Sequence, residues 1–222
     1  MTHHAISFFL SWMVSPRRVG AIAPSGQALA TLMTKDIDPE SGPVIELGPG
    51  TGAFTYKLME RGFRQQDLTL VENGSEFARL LQVRFPGARV LRMDAARLGT
   101  ANIADDCSVG SVVSGLPLLA MSPKTVFSIL SGAFRYVRPS GGFYQFTYGP
   151  TAPIPRRMLD RLGLKATLVG RTMRNLPPAA VYRVSRRAPC RFSTAPAEVD
   201  AASRRQHAAD AGQPRRGLSD TF

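Results

Sequence analysis

The chain has 222 residues, 44% of them hydrophobic and 20% charged, which is enough for a folded core and excludes a disordered or collagen-like chain. Its formal net charge is +12, with arginine well ahead of lysine, so the partner expected is polyanionic: nucleic acid or an anionic membrane surface. Cys107 and Cys190 lack metal-ligand spacing, and two of the three histidines sit at the extreme N-terminus, so neither a disulfide framework nor a metal site is expected.

Residues 5–14 are mostly apolar, about half the length a membrane-spanning helix needs. As a secretory signal the charges fall on the wrong side, because Arg17 and Arg18 follow the apolar run. As a helix, Ile6, Phe9, Leu10 and Met13 form one stripe with Phe8 and Trp12 beside it. That pattern suits a segment lying in a bilayer interface, with Trp12 near the headgroups and arginines on phosphates. It equally suits a helix packed on the domain, and both can hold. Residues 18–26 lead into a further amphipathic helix over 27–33.

The run Val44-Ile45-Glu46-Leu47-Gly48-Pro49-Gly50-Thr51-Gly52-Ala53 predicts a buried strand, a glycine turn and a helix over 54–61. Glycines let a ligand approach the backbone, and the turn feeds a helix N-terminus whose free N–H groups favour electron-rich ligands. Gly48, Gly50 and Ala53 satisfy a dinucleotide fingerprint, which admits NAD or FAD. Glu46 and Gly52 extend the pattern to E-x-G-x-G-x-G. A second strand over 68–71 ends in Glu72, twenty residues past Gly52, where a carboxylate can accept both ribose hydroxyls. A third strand over 88–93 ends in Asp94-Ala95; Glu72 and Asp94 could also simply cap helices.

A helix over 76–84 lies between those strands. A fourth strand over 109–114 runs into Gly115-Leu116-Pro117-Leu118-Leu119, followed by a helix over 123–137 with Pro123 at its start and Pro139-Ser140-Gly141-Gly142 beyond its end. A fifth strand is expected over 143–148, and a closing pair over 165–174 and 180–186 is joined across Asn175-Leu176-Pro177-Pro178. Strand–helix alternation with an antiparallel pair at one side predicts an α/β, doubly wound, mainly parallel sheet. From Ala188 the chain turns Ala/Arg/Pro/Ser-rich and reads as a disordered tail. Residues 188–222 hold five arginines against four acidic residues, so almost all of the positive excess belongs to the body.

The E-x-G-x-G-x-G run resembles the first motif of class I S-adenosylmethionine (SAM)-dependent methyltransferases, a Rossmann-like fold. The stretches 11–16 with 23–25, 46–52, 114–118, 145–150 and 175–183 resemble bacterial phospholipid N-methyltransferases, over about residues 6–187. The resemblance implies methyl transfer from SAM to the amine of phosphatidylethanolamine and its methylated intermediates, ending at phosphatidylcholine. It implies a cofactor site from Ser25, Glu46, Gly48, Gly50, Gly52, Glu72, Asn73, Asp94, Ala95 and Ser114. Glu46 would help hold the amino acid end, Glu72 the ribose and Asp94 the adenine amine. It implies three segments: 1–34 as membrane-associating helix and cofactor lid, 35–187 as the catalytic domain, 188–222 as the tail. It places the protein in the cytoplasm, bound peripherally to the inner face of the cytoplasmic membrane, with no nucleic-acid partner.

A related family, the ribosomal RNA adenine dimethylases, shares Gly-Pro-Gly-Thr-Gly but carries Asn-Leu-Pro-Tyr after the fourth strand. There Asn polarises the adenine amine and the ring stacks on the flipped base. Here the equivalents are Gly115-Leu116-Pro117-Leu118, lacking both amide and ring. A lipid amine is nucleophilic once deprotonated and needs mainly positioning. Tyr148 and Tyr182 are the candidates for orienting that amine or relaying its proton. Trp12, Arg17, Arg18, Leu116 and Arg183 are the candidates for the lipid, with an arginine on its phosphate. A methyltransferase of RNA adenine or another small amine is the alternative, and a basic binding module without catalysis ranks behind both.

Overall fold

The computed structural model describes residues 24–148, 152–173 and 178–187. In chain order the elements are α1 (Pro24–Thr34), β1 (Val44–Leu47), α2 (Ala53–Glu60), β2 (Leu68–Glu72), α3 (Ser75–Arg84), β3 (Arg89–Arg92), a 3-10 turn (Ala95–Thr100), β4 (Val109–Ser114), α4 (Pro123–Tyr136), β5 (Val137–Thr147), α5 (Arg156–Arg161), β6 (Leu164–Thr172) and β7 (Ala179–Arg186). They form one seven-stranded sheet of order β3-β2-β1-β4-β5-β7-β6. The first five strands pair in parallel, while β7 is antiparallel to both neighbours. β6 therefore runs in the same direction as β5, and β7 alone is reversed. The chain order turns at β1/β4, where open α/β sheets form their ligand crevice.

Period-two alternation along the strands splits the apolar residues into two layers. Ile45, Leu47, Val71, Val112, Phe143 and Val184 face α4 and α5 through Leu130 and Leu159. Val44, Leu68, Leu70, Val113, Phe146 and Val181 face α1, α2 and α3 through Leu29, Met33, Leu58 and Leu81. All four residues of β1 are buried, which is why its sequence reads as a continuous apolar run apart from Glu46. In α4 the side chain of Ser122 accepts the Thr125 N–H, Pro123 occupies the first turn, and Val126, Ile129, Leu130 and Ala133 keep helical spacing on the buried face.

Two local features differ from the sequence expectation. β5 begins at Val137 directly after α4, and residues 139–142 lie inside it as an irregularity, since Val109 pairs with Val137 but Ser111 with Gly142. Pro139 lacks an N–H for the ladder, and the carbonyls freed there are taken by arginines. Arg183 donates to the carbonyls of Ser140 (2.8 Å) and Gly141 (3.2 Å), and Arg186 to those of Val137 (2.7 Å) and Arg138 (3.1 Å). The short helix α5 was not anticipated. The proposed N-terminal interface segment and the tail from Ala188 lie outside the described residues, as do 174–177 of the turn between β6 and β7.

Candidate active site

The turn after β1 takes its shape from three left-handed glycines: Gly48 (φ 65°), Gly50 (φ 56°) and Gly52 (φ 86°). A Cβ on Gly48 would stand 2.7 Å from Leu116 Cδ2, and one on Gly52 would stand 2.5 Å from Phe85 Cε2. A Cβ on Gly50 would meet nothing within 4 Å. The outer two glycines are thus fixed by packing, while the middle one borders open space. Gly115, past the end of β4, closes the wall, because its Cβ would lie 2.6 Å from the carbonyl oxygen of Gly48.

Glu46 and Glu72 sit behind this turn. Glu72 is 9% exposed and accepts the N–H of Gly50 (3.1 Å) and of Gly74 (2.8 Å), tying the ends of β2 and β1 together. Glu46 is 1% exposed; its Oε2 accepts the Thr55 hydroxyl at 2.7 Å, and its Oε1 has no partner. Burial pushes its pKa up to about 8; the Thr55 hydrogen bond opposes that rise and the nearby Glu72 adds to it. In this state Glu46 is a protonated acid at neutral pH, with an orphaned oxygen under the glycine turn. Asn73 and Asp94 are exposed at the next strand ends; Asp94 accepts the Ala96 N–H at 2.9 Å and starts the 3-10 turn holding Ala95.

Ser114 is fully buried and accepts the Leu116 N–H at 3.3 Å; half-buried Leu116 packs toward Gly48. Tyr148 follows β5, its ring 5.3 Å from that of Phe146 in an edge contact. Tyr182 is 9% exposed and pairs across the sheet with Gln145. The structure thus brings Glu46, the three glycines, Glu72, Asn73, Asp94, Ala95, Ser114, Leu116 and Tyr148 to the carboxyl edge of the parallel strands. Arg183 is not among them. It pairs with Tyr144, its guanidinium is spent on the carbonyls of Ser140 and Gly141, and it lines a cleft of about 350 Å³ with Asp36, Ser111 and Arg138. That cleft lies at the amino ends of β4 and β5, because reversal of β7 carries its later residues away from the glycine turn. Trp12, Arg17 and Arg18 lie outside the described residues, as does the side chain of Ser25.

Sequence reasoning gave no site role to Thr55, Gln145 or Thr147, although 145 and 147 fall in one of the stretches that carry the family resemblance. Gln145 is 1% exposed, donates through Nε2 to the carbonyls of Leu116 and Phe146 (3.0 Å each), and leaves Oε1 without a partner; Thr147, 3% exposed, leaves Oγ1 without one. The available signal was two polar residues alternating within an otherwise apolar strand.

These features fit a nucleoside-bearing ligand: an open glycine cradle, a buried orphaned acid beneath it, and a carboxylate at the end of β2. SAM meets each requirement with its ribose hydroxyls and its amino acid end. Glu72 would take the ribose, Gly50 the close backbone approach, Glu46 the amino acid end, and Asp94 with Ala95 the base.

Similarity to known proteins bears on the fold and on SAM as the cofactor. The chain is 30% identical over 171 residues to ornithine lipid N-methyltransferase of Singulisphaera acidiphila, covering 74% of this chain and 86% of that protein. It is 37% identical over 78 residues to ribosomal RNA small subunit methyltransferase A of Maridesulfovibrio salexigens, covering 35% of this chain and 29% of that one. Among solved structures it resembles the glycopeptide N-methyltransferase MtfA (TM-score 0.56, 15% identity, 84% of this chain and 99% of that one). A TehB-like SAM-dependent methyltransferase from Corynebacterium glutamicum is similar to the same degree (TM-score 0.56, 14% identity, 83% and 98%). MtfA in complex with SAM also superposes (TM-score 0.54, 14% identity, 77% and 99%). No protein-family model matches the chain.

Proposed function

We propose, from the premise that this chain belongs to the SAM-dependent methyltransferases that include ornithine lipid N-methyltransferase, that it methylates the amine of a phospholipid headgroup, phosphatidylethanolamine and its partly methylated forms. Bound SAM would supply a methyl group on a sulfonium: the N–C bond would form as the S–C bond breaks, the electron pair would stay on sulfur, and the proton shed by the nitrogen would pass to the lipid's own phosphate, two carbons away, and from there to solvent. The chain's own residues hold the cofactor, position the amine and exclude water.

The loop after β4 carries the choice of acceptor. At residues 115–118, Leu116 packs toward Gly48, and no side chain in that loop offers an amide acceptor or a stacking ring. An adenine amine is a poor nucleophile that needs both from this loop, whereas a lipid amine needs no stacking ring and only acceptors that orient it. The outer surface adds support. Leu119 (60% exposed) follows that loop, and Met173 (78% exposed) follows β6, so both apolar side chains sit at the carboxyl edge. Arg156 and Arg157 are exposed in the first turn of α5, Arg156 at 4.0 Å from Asp160, and offer positive charge that lipid phosphates would attract. On this reading the protein works at the inner face of the cytoplasmic membrane.

The lipid of the relative favours a second acceptor, the amine of ornithine lipid. Protein, labelled SAM and vesicles containing either lipid, followed by separation of headgroups, decides the matter. Label on methylated ethanolamine lipids is expected. Label only on ornithine lipid would replace the substrate, and label only on an added RNA would overturn the lipid reading.

A further inference from the structure

We propose that Gln145 and Thr147 form the seat for the acceptor's amino group, taking its N–H hydrogens and so favouring a primary amine over its methylated products; this rests on the amine-methyltransferase reading above.

Both Nε2 hydrogens of Gln145 go to carbonyl oxygens, of Leu116 and Phe146, at 3.0 Å each. Reversing the amide would set oxygen against two oxygens, so its orientation is fixed by its surroundings. Oε1 is therefore held as an acceptor, buried and unpartnered. Thr147 is two residues further on the same face of β5, and its Oγ1 is buried and unpartnered too. Buried polar atoms without partners are costly and rare, and two on one strand end point to donors brought by a ligand.

Their position suits the chemistry. Val71, Leu47, Ser114, Gln145 and Tyr182 form one row across β2, β1, β4, β5 and β7. Gln145 is thus level with the last residue before the glycine turn, two strands away, or roughly 10 Å. Its amide also fixes the carbonyl of Leu116, whose side chain reaches Gly48. The side chains flanking Gln145 in the row, Ser114 and Tyr182, carry hydroxyls and bring no carboxylate to it. A neutral amide and hydroxyl hold an amine with less stabilisation of its protonated form than a carboxylate would give, which leaves the nitrogen lone pair easier to free.

Two fixed acceptors match the two N–H groups of a neutral primary amine. Each methyl transfer replaces one N–H by N–CH3, so a monomethyl amine satisfies one acceptor and a dimethyl amine neither. The first transfer gains most from this seat and the third gains least.

The test uses full-length protein, labelled SAM, and vesicles of phosphatidylethanolamine, its monomethyl form or its dimethyl form, with Thr147→Val and Gln145→Met beside the wild type. Thr147→Val removes a hydroxyl that has no partner, so its Tm and its SAM affinity should hold. Its kcat/KM on the primary amine should fall roughly tenfold, and on the dimethyl amine much less. Gln145→Met should fall further in the same order. Equal losses on all three amines, or no loss in Thr147→Val, would overturn the seat while leaving the lipid reading intact. A wild type that labels none of the three would overturn both.

Discussion

The three glycines of the turn share one backbone conformation but not one constraint. Gly52 has φ 86°, and a Cβ there would be 2.5 Å from the ring of Phe85, itself fully buried. Gly52→Ala should therefore cost about 1–3 kcal/mol of stability, visible as a lower urea midpoint. Gly50 has φ 56° but open space around its Cβ. Gly50→Ala should cost only about 1–2 kcal/mol for the left-handed backbone yet weaken SAM binding more than Gly52→Ala does at a temperature where both are folded. A reversed order in calorimetric titration would mean that the crevice is not over Gly50. Glu46 gives a prediction of another kind. Its carboxyl ionises near pH 8 in the fold against 4.5 when unperturbed, so between those values the native state holds a proton that the unfolded chain has released. The sign is then fixed: its contribution is complete below about pH 4.5 and is lost as pH rises through 8. Glu46→Gln keeps an acceptor for Thr55 and removes the titration. Wild-type Tm should drop between pH 5 and 8.5 by more than that of Glu46→Gln, and parallel curves would place the proton elsewhere.

At the scale of elements, one tight joint lies between α4 and the 3-10 turn that begins at Asp94. A Cβ on Gly132 would be 2.5 Å from the backbone nitrogen of Gly99, so helix and turn touch main chain to main chain. Arg135 donates to the carbonyl of Gly99 (2.9 Å), and the Tyr136 hydroxyl donates to the carbonyl of Ala101, with that of Leu98 farther off at 3.3 Å. Gly132→Ala should force the two apart, with a loss of about 1–3 kcal/mol. It should also weaken SAM binding, because Asp94 and Ala95 ride on the displaced turn. Retained SAM affinity alongside a lowered urea midpoint would separate Asp94 from the cofactor. Nothing in the local sequence announces this joint, since Gly99 and Gly132 are 33 residues apart and neither lies in a motif. The glycine turn, by contrast, was legible because its demand for positive φ is written into consecutive residues, and the strand-end acids because parallel strands deliver their last residues to one edge. Residues 139–142 misled because Pro-Ser-Gly-Gly is a loop by its own chemistry and becomes part of β5 only where arginines from β7 take its carbonyls. Arg183 misled for the related reason that the direction of its strand is a tertiary fact. Gln145 and Thr147 were given no role although their alternation in an apolar strand was visible, because which face of a strand buried on both sides borders the ligand is a tertiary fact.

Across the whole molecule the sheet has two unlike edges. The carboxyl edge carries the glycine cradle, the acids, the orphaned polar atoms of β5, and exposed Leu119 and Met173. The amino edge carries Asp36, Arg138 and Arg183 around a shallow cleft, with its arginines turned onto backbone carbonyls. A net charge of +12 would draw the protein to an anionic surface from either side, so charge alone gives attraction without orientation. Orientation needs apolar side chains that gain by burial, and Leu119 and Met173 supply them on the side where the methyl donor is held. The two contributions separate by salt, because screening shortens the electrostatic range from about 10 Å at 0.1 M to about 3 Å at 1 M and leaves hydrophobic contact intact. Arg156→Glu with Arg157→Glu should weaken binding to anionic vesicles at low salt, and the deficit should vanish at 1 M. Leu119→Glu with Met173→Glu should weaken it at both. If co-sedimentation shows Leu119→Glu with Met173→Glu leaving vesicle binding unaltered at every salt, the carboxyl edge is not the one that meets lipid, and access to the amine seat must come from elsewhere on the molecule.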